Sequence, residues 1–401
     1  MRDRAYNSTV RLDLERRTQD KVIQVAGRGS DWMTLIADLT DVLCTAIPFT
    51  RTCWHTVDPG TVLFTGSVNK NIACSGSWLA EHEYVIDDVD RWWFLARSGK
   101  QVGAASVSTH GDLNRSARHR SREGYGTGDE LRASFVADGT YWGAVGFLRE
   151  EDDRWFTEDE MALLATLCPP IAVAIRRTIL VDTLLPDPGA DIGPGIVIFD
   201  AKGEPESISP AAERWIEQMI EIPPPATPGE SKAVQAVAAR ARTLGPGEDP
   251  LGLVARSRVR TGDGRWLLLY GTPLSGGVSG RTAVVIQSAR PTEVAPIVAL
   301  AYGLTERERQ VTWLCMQGRP TRAMAQALDV TTYTVQDHLK SIFAKTGVRS
   351  RGELVGQIFL EHYVPLWEQS PESPAGWLAL HEDANSHDVA KPSPPEASRR
   401  K

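Results

Sequence analysis

The sequence predicts a multidomain chain, with mixed α/β units over the first three quarters and an all-α helix-turn-helix unit towards the C-terminal end. Three observations lead there. The chain has 401 residues, enough for two to four domains at roughly 100–200 residues each. Up to about residue 290, short β-patterned stretches alternate with helical periodicity. Residues 304–355 then carry four short helix signals, each with its own start or stop residue.

Composition narrows the class. Hydrophobic residues at 42% and charged residues at 24% suit a folded globular chain. Five cysteines (Cys44, Cys53, Cys74, Cys168, Cys315) are scattered without a CxxC pair, which argues against a disulfide framework or a structural zinc. The longest apolar stretch, Met161 to Ile175, is short for a bilayer span and contains Pro169–Pro170. The charged N-terminus has no apolar run behind it, so a cytoplasmic chain without membrane contact is expected. A net charge of −7 speaks against a general polyanion binder, yet residues 304–363 hold eight Lys/Arg against six Asp/Glu, a net of +2 that leaves −9 elsewhere.

In chain order, residues 1–28 read as a charged lead-in helix. Segment 29–182 opens with an amphipathic helix (Trp32, Leu35, Ile36, Leu39, Val42, Leu43) that stops near Pro48. Strand patterns at Arg51–Val57 and Thr61–Ser67 flank the turn Asp58-Pro59-Gly60. Leu131–Ala137 and Thr140–Leu148 flank Asp138–Gly139, a hairpin dipeptide because the tight turn needs positive φ. A helix then starts at Thr157 with Glu160 completing its capping box. Segment 190–295 shows strands at Ile196–Phe199, Trp266–Tyr270 and Thr282–Gln287, a helix capped by Ser209 with Pro210 first, and an alanine-rich stretch Ser231–Leu244. Segment 300–365 is a set of short helices, and the proline-rich tail 366–401 reads as disordered.

The helical segment carries the chemistry. Thr305 with Glu308 forms a capping box, Gly318 ends the first helix, and Thr321 is expected to cap the second. Only Asp329, Val330 and Thr331 separate the second helix from a third, Thr332–Lys345, ended by Gly347. Two helices joined so tightly make a helix-turn-helix. Ser350 with Glu353 opens a fourth helix, with Leu354, Val355, Ile358 and Phe359 expected inside. On the third helix, Val335, Leu339, Ile342 and Phe343 form the core side, so Tyr333, Gln336, Asp337, Lys340 and Ala344 face out. That polar face suits a major groove: Gln336 can pair with adenine and Lys340 can donate to guanine. Asp337 would repel phosphate unless it accepts from a cytosine amine. Thr331, Thr332, His338, Arg349 and Arg351 flank the face as phosphate contacts.

This stretch resembles the LuxR-type helix-turn-helix of bacterial transcription regulators. The resemblance rests on Leu304-Thr305-x-Arg307-Glu308-x-x-Val311, Gly318, Ala325, Leu328, Thr334-Val335, His338-Leu339, Ile342-Phe343-x-Lys345, Gly347-Val348 and Ser350-Arg351-x-Glu353-Leu354. It covers about 60 residues, and departs where Gln336 stands in place of the family's usual lysine. It implies double-stranded DNA as partner and a homodimer paired through the fourth helix, with Val355 at the seam.

For the upstream part, a phosphoacceptor receiver is suggested by Asp87-Asp88 and Asp138. It fails because no lysine lies between Lys100 and Lys202 and Asp138 falls in a hairpin turn. No GxxxxGK[ST] phosphate loop is present. Segment Asp31–Val181 resembles a GAF domain through Ile47-Pro48-Phe49, Asp58-Pro59-Gly60, Asp129-Glu130-Leu131-Arg132, Trp142-Gly143-Ala144-Val145 and Phe156-Thr157-x-x-Glu160. Segment 190–290 resembles a PAS domain through Val197-Ile198-Phe199-Asp200-x-x-Gly203 and Ser209-Pro210-Ala211-Ala212-Glu213. Such domains enclose a small-molecule pocket, for which Trp54, Phe64 and Trp92, with Trp78, Trp93 and Phe94, are candidates, although plain core is the commoner use of such aromatics. His82, His110 and His119 show no metal-ligand spacing, and Arg115, Arg118, His119, Arg120 and Arg122 read as a solvated face.

The expected function is therefore a one-component transcription regulator, not an enzyme. It needs no cofactor or metal, and an unidentified small molecule is its expected signal. The alternative is a regulator controlled by a protein partner. Pro291–Gly303 joins sensor strands to the binding unit and is the expected transmission element.

Overall fold

The computed structural model describes residues 2–181, 192–244, 255–276 and 280–360; the expected tail beyond residue 366 lies outside them. The lead-in segment is a helix, α1 (Arg2–Gly27), followed by α2 (Trp32–Ala46), whose first N–H groups at Met33 and Thr34 are accepted by the Asp31 carboxylate. Strands β1 (Arg51–Val57) and β2 (Phe64–Lys70) come next. Then follow the short helices α3 (Gly76–Ala80) and α4 (Trp92–Ser98), strand β3 (Val102–Ala104), and helices α5 (Ala105–Ser108) and α6 (Ala117–Ser121). The long hairpin β4 (Thr127–Ala137) and β5 (Thr140–Glu150) leads into α7 (Glu158–Thr178). At the hairpin tip Asp138 and Gly139 both take positive φ, as the dipeptide predicts.

Strand β2 begins three residues later than its pattern suggests. The N–H groups of Thr61 and Val62 both donate to the Asp58 carbonyl, and Val62 sits at φ +58°, so the turn consumes those residues. Helix α7 runs unbroken through Pro169–Pro170. By length and composition it is the one described helix able to cross a bilayer, but Leu164, Leu167, Ile171 and Ile175 are buried against the sheet, which makes it a core helix here.

The second segment supplies β6 (Gly195–Phe199), β7 (Pro205–Ile208), α8 (Pro210–Ile216), β8 (Glu221–Ile222) and α9 (Lys232–Thr243). Strands β9 (Arg256–Arg260), β10 (Trp266–Pro273) and β11 (Thr282–Ser288) complete it. Its antiparallel sheet has the order β7-β6-β11-β10-β9, and the first sheet has the order β3-β4-β5-β1-β2-β8.

The two segments form two sheets but do not pack as two separate bodies. Strand β8, from the second segment, pairs in parallel with β2 of the first sheet. Helix α9 packs against α3 and β2 on one side and β10 and β11 on the other. Its alanine-rich sequence suits that position: Ala233, Ala236, Ala238, Ala239 and Ala241 are all buried, and small side chains let backbones approach closely. The carboxylate of Asp58, in the first segment's turn, is bound by both ends of the Arg258 guanidinium on β9 at 2.6 and 2.8 Å.

Helix α10 (Pro291–Ala301) leads into α11 (Glu306–Met316), α12 (Thr321–Leu328), α13 (Thr332–Thr346) and α14 (Arg351–Leu360). α10 belongs to two cores at once. Val294, Ile297, Val298 and Ala301 join the core formed by the first sheet with α2 and α7. Ala295 and Ala299 join that of the helix-turn-helix unit.

Of three expectations, two need correction. Arg118 and Arg122 are not part of a solvated face. Arg118 is buried and pairs with Asp88 at 2.9 Å and Glu130 at 3.1 Å, while Arg122 lies over the Trp78 ring and pairs with Glu130. Interior carboxylates draw these cations inward. Glu130 also pairs with Arg132, which pairs in turn with Glu83. Burial pushes the Glu130 carboxyl up, but Arg132, Arg122 and Arg118 outweigh it and hold it well below the usual range. Secondly, and in keeping with the rejection of a phosphoacceptor receiver, Asp88 is engaged by Arg118 and Asp138 by Arg176. Thirdly, Trp54 does not share a pocket with Phe64 and Trp92. Adjacent strand residues point to opposite faces, so Trp54 stacks on Phe135 beneath the helices while His55 turns the other way to meet Phe64 and Trp92.

Candidate nucleic-acid interface

The helix-turn-helix is built from local rules. Thr305 accepts from the Glu308 N–H, and the Glu308 carboxylate accepts from the Thr305 N–H at 2.7 Å. That same carboxylate receives the Ser341 hydroxyl and the Lys345 ammonium, each at 2.6 Å, so it ties the start of α11 to the middle of α13. Burial pushes the Glu308 carboxyl up, but the bonds from Lys345, Ser341 and Thr305 outweigh it and hold it at about 2. Lys345 is thereby turned inward, towards Glu308 and the Gly303 carbonyl.

Helix α12 closes with Asp329 in the left-handed region at φ +53°. Two residues on, the Thr331 hydroxyl accepts from the Thr334 N–H and starts α13. The expected cap at Thr321 does not form: Pro320 holds that position, and the Thr321 hydroxyl instead accepts from the Arg351 guanidinium at 2.6 Å. Gly347, at φ +79°, ends α13.

The orientation of α13 follows its periodicity. Val335, Leu339 and Ile342 are buried on one side. Tyr333, Gln336, Asp337, Lys340 and Ala344 are exposed on the other, with Tyr333 at 68% exposure among the most exposed large side chains. Lys340 is held in this face by Asp337 at 3.2 Å and lies 5.9 Å from the centre of the Tyr333 ring. Asp337, which on its own would repel a phosphate, is therefore partly neutralised by its neighbour.

Of the flanking residues, Thr331, Thr332 and Arg349 are exposed at the edges of the face and His338 is half-buried. Arg351 is half-buried and committed to Thr321. In α14, Leu354 is buried and Val355 half-buried, and the Gln357 amide donates to the Tyr302 hydroxyl just after α10 at 3.1 Å. The sequence reading missed the double allegiance of α10. Its signal was present, because Val294–Ala301 holds no polar residue, which implies burial on more than one side.

This geometry defines a compact helix-turn-helix unit with an unobstructed outer helix. The family model "Bacterial regulatory proteins, luxR family" matches residues 303–357. The spore germination protein GerE of Bacillus subtilis is 34% identical over 55 residues, which are 14% of this chain and 74% of that protein. The chain belongs to the luxR family of bacterial regulatory proteins. A putative HTH-type transcriptional regulator from the exeN 3' region of Aeromonas salmonicida is 44% identical over 61 residues, or 15% of this chain and 31% of that regulator. The chain thus spans about a third of that relative's length. A GAF domain/HD domain protein from Geobacter sulfurreducens, 18% identical, aligns over 38% of this chain and 97% of its own with a TM-score of 0.29.

Proposed function

We propose that the chain is a one-component, cytoplasmic, homodimeric transcription regulator that places α13 in the major groove of double-stranded DNA. The carrying observation is the outward face of α13, where Tyr333, Gln336, Asp337 and Lys340 stand exposed above a buried Val335–Leu339–Ile342 side. Gln336 and Lys340 read base edges there, while Thr331, Thr332, His338 and Arg349 hold phosphates. Arg351 serves first as a brace to Thr321 and reaches phosphate only by giving up that bond. Two copies pair through α14, with Val355 at the seam, and set two α13 helices on successive half-sites.

The upstream units act as a sensor, GAF-like over the first sheet and PAS-like over the second. Their state reaches the head through α10, which is packed into both cores. A signal that favours one sensor packing shifts the population of α10 positions and, through Gln357 and Tyr302, the freedom of α14 to pair. Control by a protein partner, the alternative from the sequence, gains no support from the relatives.

The test is selection of duplexes from a random pool by the full chain. The expected result is enrichment of a two-fold sequence with half-sites about 10 base pairs apart. Enrichment of no sequence would overturn the reading.

A further inference from the structure

A cavity of about 400 Å³ lies where both sheets meet the end of α7 and the middle of α10. Its size is within the roughly 300–1,000 Å³ usual for small-molecule sites. Strands β1 and β2 wall it from the first sheet and β9 and β10 from the second, so it exists only because the two sheets interlock.

The chemistry of an occupant follows from which wall groups are free to meet it. The charged ones are committed to the protein. Arg258 grips Asp58 and donates to the Glu293 carbonyl. Arg260 donates to the carbonyls of Thr178, Ile179 and Val181. Asp31 caps α2, Glu221 accepts from Ser231 and Lys232, and Glu217 is exposed at the rim, where it meets water. The wall hydroxyls are spent in the same way: Thr65 donates to Thr56, Thr178 to the Ile175 carbonyl, and Thr261 to the Arg265 carbonyl. The wall residues that keep surface to offer are apolar. Met33, Ile179, Ile220 and Trp266 all line the cavity and all stay half-buried, although they sit where two sheets and two helices converge. Elsewhere in the chain such a convergence buries apolar side chains completely, as it does Ile175 and Ile297 beside them.

We propose that this cavity binds a small, uncharged, mainly apolar molecule. Its binding takes the half-buried surfaces of Met33, Ile179, Ile220 and Trp266 out of water together with its own, and that burial is the driving force. An ion is disfavoured. It would give up its hydration without a free opposite charge inside to answer it, because Arg258 and Arg260 are engaged already. Glu217 stands in water at the rim, where an ion pair is worth little. The ligand lies against Ile175 of α7 and Ile297 of α10, the helix that also packs into the core of the helix-turn-helix unit. The effect of occupancy on DNA rests on the regulator reading above; the binding itself does not.

The experiment uses the full chain labelled with fluorotryptophan and followed by fluorine NMR. The Trp266 resonance is assigned through Trp266→Phe, and those of the exposed Trp155 and Trp313, outside the cavity, through Trp155→Phe and Trp313→Phe. The probes share one ring system: naphthalene, 2-naphthoate and 2-naphthylmethylammonium. Naphthalene is expected to shift the Trp266 signal saturably and to leave those of Trp155 and Trp313 in place, while each ion binds about tenfold more weakly or worse. Ile220→Glu puts a charge into the wall at a half-buried position and is expected to weaken naphthalene by about tenfold. Ile196→Glu, at an exposed apolar residue of β6 outside the cavity, leaves the binding unchanged. No saturable shift of Trp266, equal binding of the ions, or undiminished binding to a folded Ile220→Glu overturns the proposal. The comparison of the three probes on the parent chain decides it even where Ile220→Glu does not fold. Failure to select duplexes would leave these signals untouched, so the two readings fail separately.

Discussion

His55 shows at the scale of one residue how the interior constrains the chain. It is fully buried, rings of Phe64 and Trp92 lie 4.6 and 5.1 Å away, and neither ring nitrogen has a partner. Burial, with the Lys232 and Arg132 charges, holds its pKa well below the ordinary 6.5. The unfolded chain therefore takes up a proton that the folded one refuses. Stability is complete above pH 6.5 and falls by about 1.4 kcal/mol per pH unit below it, until the folded pKa is reached. Denaturant titrations from pH 7.5 to pH 5 will show this slope, and His55→Leu will reduce it, leaving the contribution of His82, which burial also lowers; an unchanged slope in the variant would place the sensitivity elsewhere. Individual side-chain roles were legible in the sequence where a local rule applies, as for Thr157, Ser209, Thr305 and Gly347. They were not where a partner comes from far along the chain. Arg118 looked solvated because nothing in its own segment announces Glu130, or Asp88 thirty residues earlier.

Elements follow the same division. The amphipathic α2, the β4–β5 hairpin and the helices of the head could be read from period and caps, because each buries one face of a locally determined structure. α9 and β8 could not. α9 is sandwiched between two sheets, and β8 crosses from the second segment to the edge of the first, which are facts of tertiary packing. α10 lies between these cases, since its continuous apolar sequence implies two buried sides without naming the bodies on them. Its Ala299, at 6% exposure, has room for little more than a methyl group. Ala299→Leu is expected to overpack the contact with the head and to cost about 1–3 kcal/mol. Thermal unfolding followed by head and sensor probes should then separate into two transitions where the parent chain shows one. A variant that still unfolds in one step would show that α10 does not couple the two bodies.

Across the whole molecule, two interlocked sheets lead into a helical head whose third helix, α13, presents an exposed outer face. The outward face of α13 was legible almost residue by residue, because a helix with one buried side fixes its other side by geometry alone. The cavity where both sheets meet α7 and α10 was not, because residues from α2, β5, β10 and α10 meet there only after folding. The proposed role of the α13 face is to bind DNA and read its sequence. The most direct measurement is the affinity of the full chain for its selected duplex across a salt series, beside Lys340→Ala and a scrambled duplex. Log affinity is expected to fall linearly and steeply with log salt. Lys340→Ala is expected to cost about 1–3 kcal/mol on the selected sequence and much less on the scrambled one. An affinity indifferent to salt, with Lys340→Ala equal to the parent on both duplexes, would contradict it.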